Sequence, residues 1–275
     1  MKNLFLSFLL MGLGSLTYAQ QYYPTGIQSR ETVSIYGGFT GFFGDIEGSN
    51  SFIDTNPHLG IAYEYALSQR FAARAYGLYY KIEAQDSKAI KEDLQNRNLS
   101  FFSNNFEAGV MLTGYFLKQP IKNFTNRRRV NLYGLVGLGF TYYNPKTTLD
   151  GKVYALRKYK TEGKAYSKIA PVIPFGGGLV VKLNDRVDIA GEAKFHYALT
   201  DFLDDCSSRY LTQYSSELQE SLADRRLKGE GGGQRGNPTI SDGYGTYSIR
   251  VGYKLLQYKY RAKDLKKKLR KRYKS

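Results

Sequence analysis

Between Asn105 and Leu117, Phe106, Ala108, Val110, Leu112, Gly114 and Phe116 occupy every second position, with Glu107, Met111, Thr113 and Tyr115 between them. Side chains alternate across a strand, so one face of this run is apolar throughout and its charge lies on the other. Arg186 to Leu199 repeats the pattern, setting Val187, Ile189, Gly191, Ala193, Phe195 and Tyr197 against Asp188, Glu192, Lys194 and His196. Gly243 to Leu255 does so again, with Tyr247, Ile249, Val251 and Tyr253 opposite Ser248, Arg250 and Lys254. Charges confined to one face suit strands that show the other face to lipid. Backbone in a bilayer has no water to bond, so such strands must pair and close.

Eight runs carry this character: Glu31 to Phe43, Pro57 to Ala66, Arg70 to Glu83, Asn105 to Leu117, Val130 to Tyr143, Val172 to Leu183, Arg186 to Leu199 and Gly243 to Leu255. Each is near or above the roughly 10 residues that a tilted strand needs to cross a bilayer. After the N-terminus no stretch reaches the ~18 apolar residues of a transmembrane helix. The expected fold is all-β: a transmembrane up-and-down antiparallel barrel of about eight strands over residues 20–256. Its connections alternate in length. Leu67 to Arg70 and Leu183 to Arg186 are tight turns, whereas Thr200 to Asp242 is long. Short periplasmic turns and long extracellular loops place both termini in the periplasm. Lys118 to Arg129 is longer than this scheme expects of an inner turn.

Residues 1–19 have the build of an export signal: Lys2, an apolar core from Leu4 to Leu16, and Thr17-Tyr18-Ala19 before Gln20. Cys206 is the single cysteine, so no disulfide can form within the chain. Residues 257–275 form a basic tail with ten Lys or Arg against Asp264. Written as a helix, the tail lines up Tyr258, Ala262, Leu265, Leu269 and Tyr273 on one stripe, which suits a membrane surface or a partner protein. The same tail could equally be unstructured. Lys266, Lys267, Lys268, Arg270, Lys271 and Arg272, with Arg127, Arg128 and Arg129 at the same end, form the candidate partner-binding surface. An exported chain meets no nucleic acid, so outer-membrane lipid or an acidic protein is the expected contact.

An eight-stranded barrel is wide enough only for its own side chains. Glu64, Arg74, Glu107, Glu192, Lys194 and Arg250 should point inward and mix both signs, as a paired lumen network would. The alternative is that these charges merely keep the lumen face polar. His58 and His196 are the only candidate neutral-pH bases. His196 lies near Thr200, Asp201 and Ser207, but no nucleophile elbow marks a serine, so no catalytic residue is assigned. Asp201, Asp204 and Asp205 form an acidic loop cluster, read as capping or salt bridging in preference to a Ca²⁺ site. Leu211, Tyr214, Leu218 and Leu222 recur at helical spacing and predict a short helix over the barrel mouth. Gly231-Gly232-Gly233 lacks the Lys-Ser/Thr pair of a phosphate loop, and no cofactor is expected.

Several motifs run in order along the chain. They are Tyr36-Gly37-Gly38, Phe43-Gly44-Asp45-Ile46, Thr161-Glu162-Gly163, Pro174-Phe175-Gly176-Gly177-Gly178, Thr200-Asp201-Phe202-Leu203-Asp204-Asp205-Cys206-Ser207 and Arg235-Gly236-Asn237-Pro238. Together they resemble the PorG-type outer-membrane proteins of Bacteroidetes. The resemblance implies a non-enzymatic barrel of a type IX secretion apparatus in the outer membrane of a Gram-negative cell. Its implied partners are a periplasmic ring lipoprotein and that lipoprotein's partner subunit. The alternative function is a surface barrel working through its loops as adhesin, receptor or lipid-modifying enzyme. Cys206 departs from the aliphatic residue expected there, and the tail is longer than the family needs.

Overall fold

The computed structural model describes residues 27–46, 55–121, 127–228, 232–239 and 241–258. Residues 1–19, expected to be an export signal, and residues 259–275 of the basic tail, with its six candidate partner-binding residues, lie outside the described residues.

The chain forms β1 (Ile27–Phe43), β2 (Asn56–Ala66), β3 (Phe71–Gln85), β4 (Ser100–Tyr115), β5 (Val130–Tyr142), β6 (Lys146–Leu149), β7 (Lys152–Ala155), β8 (Ile169–Lys182), β9 (Val187–Ala198) and β10 (Gly243–Tyr258). Among the described residues two short α-helices, α1 (Glu92–Arg97) and α2 (Glu217–Ala223), lie in the long connections. Eight long strands pair antiparallel with their neighbours, and β3 joins β4, so the sheet closes. The seam is β1 against β10, paired from Ile27↔Tyr258 to Phe43↔Gly243 with a one-residue register shift between Ser29 and Glu31. This is the transmembrane up-and-down barrel that the alternation predicts. The strands overrun the expected boundaries: β4 starts at Ser100, and β10 continues through Tyr258, two residues into the stretch assigned to the tail.

The outer wall is apolar. Ile35, Leu59, Ile61, Val110, Leu138, Phe140 and Ile249 are all more than half exposed. A continuous belt of this kind would be untenable in water and is at home in lipid. Tyr65, Phe71 and Phe116 edge the belt near one rim, and Tyr79, Tyr142 and Tyr197 near the other. Glycine sets the closeness of some strand contacts. A Cβ at Gly38 would overlap the Tyr247 carbonyl across the β1–β10 seam.

One rim carries the tight turns. In Leu67 to Arg70 the Ser68 hydroxyl accepts the amides of Arg70 and Phe71 at 3.2 and 3.0 Å. In Leu183 to Arg186 the Asn184 carboxamide oxygen does the same for Arg186 and Val187, both at 2.8 Å. The longer connection between β4 and β5 folds across this rim: the Gln119 amide donates to the Gln69 carbonyl at 2.7 Å. Asn131 holds both the amide and the carbonyl of Leu117.

The other rim carries the loops. After β5 the chain makes the hairpin β6–β7, whose Asp150 and Gly151 both have positive φ, 50° and 74°. That geometry is a type I′ turn, which Asp-Gly favours. β6 touches β4 at Phe102↔Lys146, so the hairpin prolongs the barrel wall beyond the belt. The predicted mouth helix is present but shorter than its spacing suggested. α2 begins only after Ser216, whose hydroxyl caps the Gln219 amide at 3.2 Å, leaving Leu211 and Tyr214 outside it.

Candidate functional site

The lumen is filled by side chains in layers. In the middle layer Glu192 Oε1 accepts Arg74 Nη1 at 2.7 Å, Arg250 Nε at 2.7 Å and the Tyr133 hydroxyl at 2.6 Å, while Lys194 Nζ donates to Oε2 at 3.0 Å. Arg74 also donates to Glu64 Oε2 from Nε at 3.0 Å and Nη2 at 2.9 Å, and the Tyr115 hydroxyl binds Glu64 Oε1 at 2.6 Å. Five of the six inward charges of the sequence reading are thus brought into one network. Ion pairs this buried survive only when their remaining lone pairs and protons are also satisfied. Here the tyrosine hydroxyls complete the set.

Glu107 stands apart from the five, in the layer toward the loops. It accepts hydroxyls from Tyr76, at 2.5 Å, and from Tyr244, and lies 2.9 Å from His196 Nδ1. His196 Nε2 meets Thr246 Oγ1 at 3.2 Å, and its ring stacks on Tyr244 at 4.7 Å. His58 bridges Thr40 and Ser248 at 3.0 and 2.8 Å. Both histidines are buried polar links, His58 between the adjoining strands β2, β1 and β10 and His196 across the lumen to Glu107 of β4, and neither is paired with Ser207, which lies in the cap above.

At the turn rim the reading of Arg127 needs correction. Arg127 is buried, forms an ion pair with Asp188, and donates from Nη2 to the Asn184 carbonyl at 2.8 Å. Asp188 faces the lumen mouth and needs cations there; Lys254 supplies another at 3.4 Å. Arg127 therefore closes the barrel floor and offers no docking charge. Arg128 and Arg129 are exposed.

At the loop rim the motifs singled out in the sequence converge. Asp45 Oδ2 accepts the Asn237 amide at 2.6 Å, and Asp204 Oδ2 accepts the Ile46 amide at 3.0 Å. Asp205 accepts hydroxyls from Thr161 at 2.5 Å and Tyr166 at 2.6 Å. Glu162 takes the Ser207 and Ser208 amides, both at 2.9 Å, and Arg235 Nη1 at 2.8 Å. Arg235 also donates to the carbonyls of Asp205 and Ala223, so it joins α2 to the motif loop. Arg97 of α1 grips Asp86 with two bonds of 2.6 and 2.8 Å and reaches the carbonyls of Asp45 and Arg235 at 2.5 and 2.7 Å. Four loops are thereby stitched into one cap. Arg97 and Asp86 carried no signal in the sequence, because neither their pairing within the β3–β4 connection nor the bonds of Arg97 to distant loops follow a local period.

The acidic cluster is part of this cap. Asp204 and Asp205 are buried and bonded to amides and hydroxyls, the arrangement expected of capping residues. Among the described residues no group of three or more His, Cys, Asp or Glu is placed to hold a metal ion. Burial raises the Asp201 carboxyl to about 7, with Asp45 and Glu162 adding to the rise and Ser207 opposing it. Asp204 and Asp242 are raised as well, first by burial and then by neighbouring carboxylates, with Asp45 beside both. Burial acts to raise Glu162 too, but Arg235, Ser207 and Ser208 outweigh it and leave it below its ordinary value. Cys206 is fully buried and its Sγ donates to the Arg235 carbonyl at 3.1 Å.

Among solved structures the chain is similar to the N-terminal β-barrel domain of OprF from Pseudomonas aeruginosa, at 9% identity and TM-score 0.40 over 83% of this chain and 100% of that one. It is similar to neisserial surface protein A at 11% and 0.43, over 82% and 97%. Ail of Yersinia pestis, in complex with sucrose octasulfate, gives 10% and 0.40, over 83% and 99%. No curated protein matches the sequence. Residues 8–219 match the family described as Domain of unknown function (DUF6089), and the chain belongs to that family.

Proposed function

We propose that this barrel is a non-enzymatic outer-membrane anchor whose turn rim faces the periplasm and holds a protein-secretion assembly, as the PorG-type resemblance implies. The observation that carries the reading is the ion network across the lumen. Glu192 binds three cations from three directions in a barrel too narrow for anything but side chains, which leaves no open path for a solute. The cap above it has its buried charges engaged by its own loops. At the turn rim the groups left to meet a periplasmic partner are the exposed Arg128 and Arg129, to which the basic residues of the tail would add. An acidic periplasmic protein fits that surface by charge.

Cross-linking in the native envelope tests this. The full chain should yield adducts with periplasmic proteins, and deletion of residues 259–275 should remove them while the barrel still assembles. An intact protein that captures no periplasmic protein, or a deletion that leaves the adducts unchanged, overturns the anchor.

A further inference from the structure

The return leg of the β5–β8 connection is a second basic surface, unrelated to the tail. Lys158, Lys160 and Lys164 are exposed, as is Lys152 near the β6–β7 hairpin turn. None of these four ammonium groups has a carboxylate partner among the described residues. Glu162 sits between Lys160 and Lys164 in sequence, yet it is turned into the cap, where Arg235, Ser207 and Ser208 occupy it. For Lys158, Lys160 and Lys164 the nearest acid along the chain is therefore withdrawn; Lys152 has the exposed Asp150 two residues before it.

The backbone that presents them is fixed. Leu156 is buried, Arg157 Nε donates to the Tyr166 carbonyl at 2.6 Å, and the Gln219 carboxamide of α2 donates to the carbonyls of Tyr159 and Lys160 at 2.8 and 3.2 Å. Lys160 and Gly163 take positive φ, 46° and 72°, which bends the leg back to the wall. It lands at the membrane edge. Lys168 Nζ lies 6.0 Å from the centre of the Tyr142 ring, and Tyr142 and Ile169 both show their side chains on the outer wall where the apolar belt ends.

We infer that Lys152, Lys158, Lys160 and Lys164 form a docking surface for the phosphate groups of phosphorylated glycolipid in the leaflet at the loop rim. Exposed cations without a carboxylate partner, on an ordered scaffold whose return leg reaches the belt, match a leaflet of closely spaced phosphates, and each cation near such a surface adds attraction. The preformed backbone lowers the entropic cost of holding the lysines in place. The inference rests on the orientation given above, with the loops outward, and is independent of any periplasmic partner.

The test uses the full chain purified in detergent, with diphosphoryl lipid A, dephosphorylated lipid A and heparin as probes. Diphosphoryl lipid A should bind in a salt-sensitive way, and the triple variant K158E/K160E/K164E should bind at least tenfold more weakly while the barrel keeps its folded electrophoretic mobility. Unchanged binding by the triple variant, or equal binding of dephosphorylated lipid A, overturns the inference. So does tight heparin binding without lipid A binding, which would make the surface a receptor for soluble polyanions. A Lys160→Cys variant, labelled on whole cells with a membrane-impermeant maleimide, reads the orientation separately: labelling supports it, and no labelling overturns it. Loss of the periplasmic adducts would not alter lipid A binding by purified protein, so the two readings fail apart.

Discussion

Arg74 of β3 and Glu192 of β9 meet at 2.7 Å across the full width of the barrel, four strands apart by either route and 118 residues apart in sequence. A bond between opposite walls acts as a cross-brace that strand pairing alone does not supply. Glu192→Ala would leave Arg74, Arg250 and Lys194 short of their shared anion. Removing one member of a buried ion pair costs about 3–5 kcal/mol. Urea unfolding of the protein in lipid vesicles should show a loss of that size for Glu192→Ala and a smaller one for the paired variant Arg74→Met with Glu192→Met.

The cap is closed by contact at Gly236. A Cβ there would strike Asp45 Oδ2 and lie 2.6 Å from the Ser207 amide nitrogen, separating the Arg235 motif from both loops. Gly236→Val should overpack the cap by about 1–3 kcal/mol. Proteolysis within residues 199–242 should quicken by roughly tenfold or more, at about 1.4 kcal/mol per decade. The β-sheet circular dichroism should hold.

Stability of the cap should fall as pH rises. Asp201 is raised to about 7 in the folded protein, against about 3.9 for a free aspartate. Between those values the folded state holds a proton that the open state releases, so protonation stabilises the closed form and the benefit is lost toward pH 7. Asp205, raised by burial to about 6, acts in the same direction. Hydrogen-exchange protection in residues 199–242, taken relative to the intrinsic exchange rate at each pH, should be greater at pH 5 than at pH 8, and Asp201→Asn should shrink the difference. A pH difference of unchanged size in that variant would contradict this account.

The three consecutive arginines should separate by role. Arg127→Ala exposes Asp188 to an incomplete set of cations and should weaken the turn rim in the same unfolding assay. Arg128→Glu with Arg129→Glu touches no described pairing, so it should leave the midpoint unchanged and reduce the periplasmic adducts.

The fold was legible because membrane strands write their faces into the sequence. Glu107 and Glu192 had to alternate with lipid-facing residues, and the barrel followed from that constraint. The sign of each lumen charge was legible too, but not its partner, since Glu64 and Glu192 share Arg74 through curvature that no single strand encodes. The hairpin β6–β7 does leave a signal, Asp150-Gly151 between Thr147-Thr148-Leu149 and Val153-Tyr154. α1 left almost none, being six residues with no side-chain cap at Lys91. The cap motifs were visible as strings of residues, while their meeting point was not, because Asp45 and Asn237 are 192 residues apart.

The β1–β10 seam has a consequence for biogenesis. The strand synthesised first must wait for the strand synthesised last, and until β10 is delivered β1 keeps one open edge. Closure cannot begin while the chain is still being exported. Contacts of such sequence separation make folding slow, and until β10 arrives the open edge of β1 is a template for mispairing.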